Sequence, residues 1–426
     1  MSLSEDLLSQ SSLKKVSEVC NLYLGGTPKT SISDFWNGDI KWATAKDVSN
    51  CQGRYIGETE RKITLKATLE SNAKIYPKGT IVITARGTVG KIAILSMPMA
   101  FNQTCYGLVV KPQSDSMYVF YSLKNSLADI GTLSYGTVFQ TITTKTFDEI
   151  LIKVPPLKDQ KAIAKILSDL DSKIELNQKM NRTLESIAQA IFKHWFVDFE
   201  FPNEEGKPYR SSGGEMVDSE LGEIPKGWDV GSLGSVLSLL KDGTHLPPKR
   251  VAEGLKFIAG ATDIKHFYVD FSKCSYITED EYLKIHKKWD IRPNDILLTI
   301  VGTIGNAAIV RERDLPFSMQ RSIALLRVNE KIPYSYLYFF VNSNYFKKEL
   351  EKRINPTAQP GIYLTELSKV KIIVPNKKIV ELFHNVAQSF IKLMQFGIDN
   401  IEVLTGLRDS LIPKLISGKI RVPVEE

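Results

Sequence analysis

The sequence reads IVITARGTVGKIAI over residues 81–94 and ILLTIVGTIGNAAI over residues 296–309. The two stretches match at an offset of 215 residues, and both contain the turn Gly-Thr-x-Gly. Further landmarks follow in the same order at offsets up to 220: Gly26-Thr27 with Gly243-Thr244, Asp47 with Asp263, Phe101-Asn-Gln103 with Phe317-Ser-Met-Gln320, and Val154-Pro155 with Val374-Pro375. Because self-similarity over such a length indicates a repeated structural unit, the sequence predicts two halves with one architecture.

Each half opens with a region of short apolar runs. Residues 80–84, 92–95 and 323–328 are rich in β-branched side chains and are separated by Gly and Pro turns, which is typical of a mixed α/β domain. The stretch from Gly87 to Gly90 lacks the first glycine of a GxGxxG phosphate loop and a following helix. We therefore predict a tight turn between strands, with glycines at positive φ.

Each half closes with a long helix. Residues 158–195 contain neither Pro nor Gly, and apolar or small residues recur there four and three apart, as in a coiled coil. This predicted seam consists of Ile163, Leu167, Leu170, Ile174, Asn177, Asn181, Leu184, Ala188, Ile191 and Trp195. Its counterpart consists of Phe383, Ala387, Phe390, Met394, Gly397, Ile401, Leu404, Arg408, Leu411 and Leu415.

A helix of some forty residues is roughly 60 Å long, which exceeds the width of a typical domain. The fold class is therefore predicted to be α+β: two mixed α/β domains, related by the internal repeat, are held apart by two long antiparallel coiled-coil helices. In the alternative arrangement, each helix packs only against its own domain. The predicted boundaries are 1–155 and 221–375 for the domains, 156–200 for the first helix, 201–220 for an extended linker, and 376–426 for the second helix and tail.

The composition restricts the class of protein. The 426 residues are 43% hydrophobic and 24% charged, as in soluble globular chains. No apolar stretch approaches the ~20 residues that a membrane helix needs, and residues 1–15 lack the apolar run of a signal peptide, so we expect a cytoplasmic protein. The net charge is +7: residues 1–155 and 224–375 have basic excesses of 4 and 6, and the rest of the chain sums to −3. Two separate basic blocks are compatible with a nucleic-acid partner.

Motifs for catalysis are missing from the sequence. There is no GxxxxGK[ST] loop, GxSxG elbow or HExxH helix, and the four cysteines and five histidines show no metal-ligand spacing. A DNA methyltransferase would need a glycine-rich cofactor motif and an Asn/Asp-Pro-Pro-aromatic motif, and Asn355-Pro356-Thr357 is only a partial match. We therefore expect no catalytic residue, no metal and no cofactor on this chain.

The candidate site residues are polar and basic side chains in predicted loops. Arg and Lys contact phosphates or guanine, Gln and Asn pair with adenine, and Thr contacts phosphate or the thymine methyl. In the first half the candidates are Thr27, Lys29, Lys46, Arg86, Lys91, Gln103, Tyr135, Thr137, Gln140, Thr143 and Lys145. In the second half they are Thr244, His245, Lys249, Arg250, Thr262, Asn306, Gln320, Arg321, Thr357 and Gln359. Any one of them could equally be a solvated surface residue.

The chain resembles the specificity (S) subunit of Type I restriction-modification systems over nearly its whole length. The resemblance is carried by Gly25-Gly-Thr-Pro-Lys29, by Arg86-Gly-Thr-Val-Gly90 with Phe101-Asn-Gln103, and by Val154-Pro-Pro-Leu-Lys-Asp-Gln-Lys-Ala-Ile-Ala-Lys-Ile-Leu167. Phe196-Val-Asp-Phe199 and Leu221-Gly-Glu-Ile-Pro-Lys-Gly-Trp228 are further hallmarks of this family.

The resemblance implies a non-catalytic subunit in which each domain reads one half of a split DNA target and the helices separate the two halves. It implies two methyltransferase (M) subunits and restriction (R) subunits as partners, with S-adenosylmethionine, ATP and Mg on those partners. The predicted seam residues would form the helix pair or contact M, and an isolated chain could form a homodimer through its helices. The second half departs from the family junction, having Pro375-Asn-Lys-Lys-Ile379.

Two other classes of function remain open at this point. An enzyme, either a solitary methyltransferase or a nuclease, would show activity as the purified chain. A coiled-coil scaffold or degenerate anti-restriction relative would show no salt-dependent DNA binding.

Overall fold

The computed structural model describes residues 12–132, 141–355 and 360–423. It divides into two compact units, Met1–Lys179 with Gly397–Glu426, and Met180–Phe396. Each long helix contributes one part to each unit, because the division falls within residues 157–196 and within residues 377–416.

Within the described residues, the first half of the chain contains ten strands and six α-helices. The strands are β1 (Ser12–Lys15), β2 (Cys20–Leu24), β3 (Trp36–Ala43), β4 (Tyr55–Ile56), β5 (Arg61–Ile63), β6 (Ile81–Thr84), β7 (Ile92–Leu95), β8 (Ala100–Phe101), β9 (Cys105–Val110) and β10 (Leu151–Val154). The helices are α1 (Val16–Val19), α2 (Ala45–Ser49), α3 (Leu65–Glu70), α4 (Ser116–Thr132), α5 (Thr144–Glu149) and α6 (Leu157–Phe196).

The second half contains twelve strands and five helices within the described residues. The strands are β11 (Met216–Ser219), β12 (Gly222–Pro225), β13 (Asp229–Ser232), β14 (Leu237–Asp242), β15 (Arg250–Val251), β16 (Leu255–Ile258), β17 (Ser275–Ile277), β18 (Ile296–Thr299), β19 (Ala307–Ile309), β20 (Phe317–Met319), β21 (Ile323–Val328) and β22 (Lys371–Val374). The helices are α7 (Glu279–Ile285), α8 (Tyr334–Val341), α9 (Asn344–Glu351), α10 (Leu364–Ser368) and α11 (Lys377–Ile416).

The two halves share one sheet topology, so the predicted repeat is confirmed. The strand order β2-β9-β6-β7 in the first half corresponds to β14-β21-β18-β19 in the second, with every pair antiparallel. The order β5-β3-β8 corresponds to β17-β16-β20, in which one pair is antiparallel and the other parallel. The strand pair β1-β10 likewise corresponds to β13-β22.

The central strands of the repeat are buried because they are apolar throughout. All four residues of β6 and all four of β18 are buried, which is typical of a strand covered on both faces. The glycines of the connecting turns have φ of +78° and +82° in the first half and +79° and +93° in the second. The prediction of a tight turn with positive φ is therefore correct.

The register of the repeat differs from the prediction by one residue at the first glycine. The amide of Gly25 donates to the carbonyl of Cys105 at 3.0 Å, and the amide of Gly243 donates to the carbonyl of Ile323 at 3.2 Å. A Cβ at Gly25 would lie 2.1 Å from the carbonyl oxygen of Asn102, and one at Gly243 would lie 2.1 Å from that of Met319. Gly25, rather than Gly26, is thus the equivalent of Gly243, because Gly26 donates to Phe101 as Thr244 donates to Met319.

The two predicted long helices are present, and each has forty residues. In the first unit, Arg408 of α11 donates to Asp171 of α6 at 2.6 Å, and Ile412 and Leu415 lie in one core with Leu167. In the second unit, Asn181 of α6 donates to the Met394 carbonyl of α11 at 3.1 Å, and the rings of Phe192 and Phe383 have centroids 5.8 Å apart. Rising numbers on one helix meet falling numbers on the other, so the helices pair antiparallel in each unit and the predicted fold class is confirmed.

The buried stripe of each helix is wider than the predicted seam. The buried residues of the predicted seam include Ile163, Leu167, Ile174, Asn177 and Ala188 on α6, and Phe383, Ala387, Met394 and Leu415 on α11. At five other positions the residue one place later is the more buried one: Asp171, Phe192 and Phe196 on α6, and Ile391 and Ile412 on α11. The α-helix has 3.6 residues per turn, so its buried face drifts from a strict 3.5-residue repeat, and each helix also packs against a domain.

The junctions between domain and helix differ between the halves. Gln160 at the start of α6 is buried, donates to the carbonyl of Pro155 at 2.7 Å and accepts from the amide of Asp115 at 2.9 Å. In the second half Asn376 caps α11 by accepting from the amide of Ile379 at 2.9 Å. In the second half, an Asn376 cap at the start of α11 thus takes the place of the Gln160 contacts at the start of α6.

Residues 201–220 are folded rather than extended, contrary to the prediction. Phe201 stacks on Tyr209, with ring centroids 4.5 Å apart, and on Trp228, with centroids 4.9 Å apart. The strands β11 and β12 then form a hairpin. The Pro, Gly and Ser content suggested a flexible segment, but three aromatic rings supply a small core for it.

The close approach at Gly25 gives a test of the fold. We expect Gly25→Ala or Gly243→Ala to lower the free energy of unfolding of its unit by at least about 2 kcal/mol, because the new methyl group would overlap a carbonyl oxygen. Gly406→Ala is the matched control. Gly406 lies within α11 with open space around it, so alanine there should raise the stability by about 1 kcal/mol. Urea titration followed by circular dichroism measures both changes, and an unaffected Gly25→Ala protein would contradict the assigned contact.

Candidate nucleic-acid interface

A cleft of about 540 Å³ lies in the second unit, where several strand ends meet. Its walls are joined by backbone hydrogen bonds from Thr244 to Met319 at 2.9 Å, from Gln320 to Ile258 at 3.1 Å, and from Ile300 to Ser322 at 2.9 Å. The amide of Ile362, just before α10, also donates to the carbonyl of Ile300 at 2.9 Å. Loops far apart in sequence are thereby held side by side.

Four residues predicted from the sequence line this cleft: His245, Thr262, Gln320 and Arg321. A ring nitrogen of His245 lies 2.7 Å from the carboxylate of Asp242, which orients the imidazole. The guanidinium of Arg321 is exposed, and within the described residues it has no carboxylate at ion-pair distance. The cleft thus presents imidazole, hydroxyl, amide and guanidinium groups together, which is the set that contacts base edges and phosphates.

Three further residues of the cleft were not predicted: Asp242, Asn355 and Tyr363. The amide of Asn355 donates to the hydroxyl of Tyr363 at 3.3 Å, and the Tyr363 side chain is 66% exposed. The only signal for Asp242 in the sequence was its position directly before Gly243-Thr244. No pattern pointed to Tyr363, because its place in the cleft depends on the pairing of Ile362 with Ile300.

The first unit joins the equivalent loops by the same hydrogen bonds. Gly26 donates to Phe101 at 3.0 Å, Asn102 to Ala43 at 2.9 Å, and Ala85 to Thr104 at 2.7 Å. Ile142 donates in turn to Ala85 at 3.0 Å. The predicted residues Thr27, Arg86, Gln103 and Thr143 therefore lie on neighbouring loops, and the last three are exposed.

The hydrogen-bond pattern shows which residues of the two sites are equivalent. Gln103 corresponds to Arg321 and Asn102 to Gln320. The amides of Asn102 and Gln320 donate to the equivalent carbonyls of Ala43 and Ile258. Two residues later, the carbonyls of Thr104 and Ser322 accept from the amides of Ala85 and Ile300. By the same register Arg86 corresponds to Val301 and Thr27 to His245. Equivalent positions thus carry different chemical groups, so the two sites have different hydrogen-bonding patterns.

Other predicted residues lie elsewhere. Lys46 forms an ion pair with Glu60 at 2.8 Å, and Arg250 contacts Ser275 and lies over the Phe257 ring at 5.1 Å. In the first unit, the side chains of Lys29, Lys91 and Lys145 are exposed. In the second unit, Lys249 and Asn306 do not line the cleft, and Thr244 adjoins it through its bridge to Gln320. The predicted residues Tyr135, Thr137, Gln140, Thr357 and Gln359 lie outside the described residues.

The described part of the chain holds no group of three or more His, Cys, Asp or Glu residues that could bind a metal ion. His286 is the most strongly perturbed histidine there: burial lowers its pKa to about 4. It lies between Tyr282 and Trp289, with ring centroids 4.4 and 4.3 Å away, and is therefore neutral at physiological pH. Among the described helices, none combines the length and the apolar character needed to cross a membrane.

Comparison with known proteins identifies the family. The model of the Type I restriction modification DNA specificity domain matches residues 9–186 and again residues 225–403. The chain belongs to this family. The two matches begin and end at corresponding points of the internal repeat, so each half is one copy of the domain.

Relatives in this family share most of their length with the chain. A Type I restriction enzyme MjaIX specificity subunit from Methanocaldococcus jannaschii is 31% identical over 96% of this chain and 93% of its own length. The MjaVIII specificity subunit of the same organism is 30% identical over 72% and 71%. The resemblance to specificity subunits is therefore confirmed, and with it the expectation of a recognition component rather than an enzyme.

A solved structure supports the fold independently. The S subunit of a Type I restriction-modification system from M. genitalium superposes with a TM-score of 0.54 and covers 98% of both chains at 18% identity. At this identity the likeness concerns the architecture of the chain alone.

Proposed function

We propose that the chain is the DNA-recognition subunit of a Type I restriction-modification complex, in which each domain reads one half of a bipartite target. The observation that carries this proposal is the repeated loop cluster, which occurs in both domains with the same backbone hydrogen bonds but with different side chains. One scaffold with two sets of reading groups suits a target with two different halves.

The partners follow from the same proposal. Two M subunits, which bind S-adenosylmethionine and methylate adenine, dock on the long helices, and R subunits supply ATP- and Mg-dependent cleavage. The exposed apolar residues Leu176, Met180 and Ile187 on α6, and Leu393 and Phe396 on α11, support docking of partner helices. The complex acts in the cytoplasm, where chromosomal DNA is accessible.

The proposal is tested by co-expressing the chain with its cognate M subunit in a methylation-free host and mapping methyladenine across the genome. We expect one split motif, with two short specified parts around a fixed gap, which disappears when either chain is omitted. Methylation by this chain alone would favour the enzyme alternative. A pair that gives no methylation and no salt-dependent DNA binding would favour the scaffold alternative.

The two reading sites can be separated by reciprocal variants. We expect Arg86→Ala to weaken binding of the S–M complex through one half-site and Arg321→Ala through the other, each by about tenfold to a hundredfold, since one base contact contributes that much discrimination. Lys273→Ala removes the same charge from an exposed position outside the cleft and should have little effect.

Competition binding with duplexes altered in one half-site at a time measures the reciprocal effects. Base reading requires that each variant lose discrimination at its own half-site only. Equal losses for specific and random DNA would assign both residues to phosphate contacts instead.

The helix pair is tested by changing Leu170 and Ile174 to Asp together. Ile174 is buried, and two carboxylates placed in an apolar contact cost at least about 3 kcal/mol, so the helix pair or the M interface should be lost. Lys173→Asp makes the same total charge change on the exposed face of α6 and is the control. Gel filtration with M and thermal unfolding measure the result, and an unchanged complex would refute the assignment.

A further inference from the structure

A buried cluster of charged residues joins the first domain to both long helices. Its centre is Asp171 on α6, which is 3% exposed. One carboxylate oxygen accepts from the hydroxyl of Tyr121 on α4 at 2.6 Å, and the other accepts from the guanidinium of Arg408 on α11 at 2.6 Å. A single carboxylate thus contacts the domain and the second helix at once.

Arg54 supplies a second connection between the domain and α6. It precedes β4 at the edge of the five-stranded sheet, and its guanidinium donates to both carboxylate oxygens of Glu175, at 3.1 and 3.0 Å, and to the hydroxyl of Ser172 at 2.8 Å. Its backbone amide also donates to Glu175 at 2.8 Å. The planar guanidinium and the carboxylate fit in one orientation only.

The protonation states favour these contacts. Burial and the adjacent charge of Asp171 raise the pKa of Tyr121, so its hydroxyl keeps the proton that it donates. Burial opposes the charge of Arg54, but the hydrogen bond to Glu175 and the nearby negative charges of Glu175 and Asp171 together outweigh this effect and raise its pKa. Tyr121 therefore donates to Asp171 as a neutral hydroxyl, and Arg54 donates to Glu175 as a charged guanidinium.

Apolar contacts alone would not define the angle between the domain and the helices. Ile163 and Leu167 of α6 and Ile412 and Leu415 of α11 belong to the domain core, and apolar contact is non-directional. Glu175 lies eight residues beyond Leu167, about 12 Å along the helix. Directional bonds at this distance from the apolar contact stop the domain from pivoting on it.

The second domain also contacts α6 through a tyrosine, but from a different position of the repeat. Tyr338 donates to Glu185 of α6 at 2.9 Å, and the same carboxylate oxygen lies 3.0 Å from a ring nitrogen of His266. The hydroxyls of Tyr118 and Tyr336 donate to the equivalent carbonyls of Lys153 and Ile373, so Tyr338 corresponds to Phe120 and Tyr121 to Phe339. The cluster around Asp171 is therefore specific to the first domain.

We propose that the cluster of Tyr121, Arg54, Asp171, Glu175 and Arg408 is a positioning lock, which fixes the angle of the first domain on the helices and thereby the gap length that the complex accepts. This inference rests on the proposed function. The cluster does not need to touch DNA, because its central side chains, Asp171 and Arg54, are buried. They act on specificity through the placement of the domain.

The experiment uses the full chain with its cognate M subunit in the methylation-free host, and compares methylation at the native gap with methylation at gaps one base pair longer or shorter. For Tyr121→Phe and Asp171→Asn we expect both half-site sequences to be retained, while the ratio of native-gap to altered-gap methylation falls about tenfold, as for the loss of one hydrogen bond to a charged group.

Matched controls separate placement from general stability. Tyr106→Phe removes, from a buried tyrosine of the same domain, a hydroxyl that has no hydrogen-bond partner among the described residues, and Asp169→Asn removes an exposed carboxylate from α6. Both should leave the ratio unchanged. If Asp171→Asn is insoluble, Tyr121→Phe still gives the answer, because it deletes one oxygen and leaves the buried charges paired.

The outcomes distinguish the two proposals. A wild-type pair that produces no split motif would refute the proposed function and the lock together. A wild-type split motif whose gap ratio is unchanged in both variants, or whose methylation falls equally at all gaps, would refute the lock and leave the proposed function standing.

Discussion

The close approach of Gly25 to the Asn102 carbonyl, and of Gly243 to the Met319 carbonyl, is the constraint on which both loop clusters depend. At each place two backbone segments lie closer than any Cβ would allow. This contact sets the end of β2 beside that of β8, and the end of β14 beside that of β20. The remaining hydrogen bonds then align the loops that carry Arg86 and Gln103, or Gln320 and Arg321. Side chains within these loops can vary, because the backbone contacts that place them do not involve their side chains.

Much of the architecture followed from the sequence because repetition and periodicity are strong signals. The duplicated Gly-Thr-x-Gly turn located equivalent strands, and regular apolar spacing located both long helices. The errors have physical causes. A seam defined by strict heptads ignores the drift of a 3.6-residue helix, so Asp171 and Phe192 were passed over for Leu170 and Ile191. The folded segment after α6 depends on Phe201, Tyr209 and Trp228, whose stacking no local pattern reveals.

The candidate site was only partly predictable for a related reason. Thr27, Arg86, Gln103 and Arg321 stand beside glycines and conspicuous turns, so motif reading found them. Asp242 and Tyr363 enter the cleft because distant strands meet there, and long-range pairing is the information that a single sequence states least clearly. Alignment of the two halves by sequence alone also paired Gln103 with Gln320, which suggested the same amide group at both sites. The backbone hydrogen bonds pair Gln103 with Arg321 instead, so the two sites differ at this position.

The division of the chain into units also has a consequence for the order in which it folds during synthesis. The second unit is a continuous stretch, Met180–Phe396, whereas the first unit combines residues before Met180 with residues after Phe396. Ile412, Leu415 and Ile416 belong to the core of the first domain. Although that domain leaves the ribosome first, its core stays incomplete until the last helix has been made. The half that is translated second is therefore the first that can finish packing, and the nascent first half must keep an apolar surface open for nearly the whole of translation.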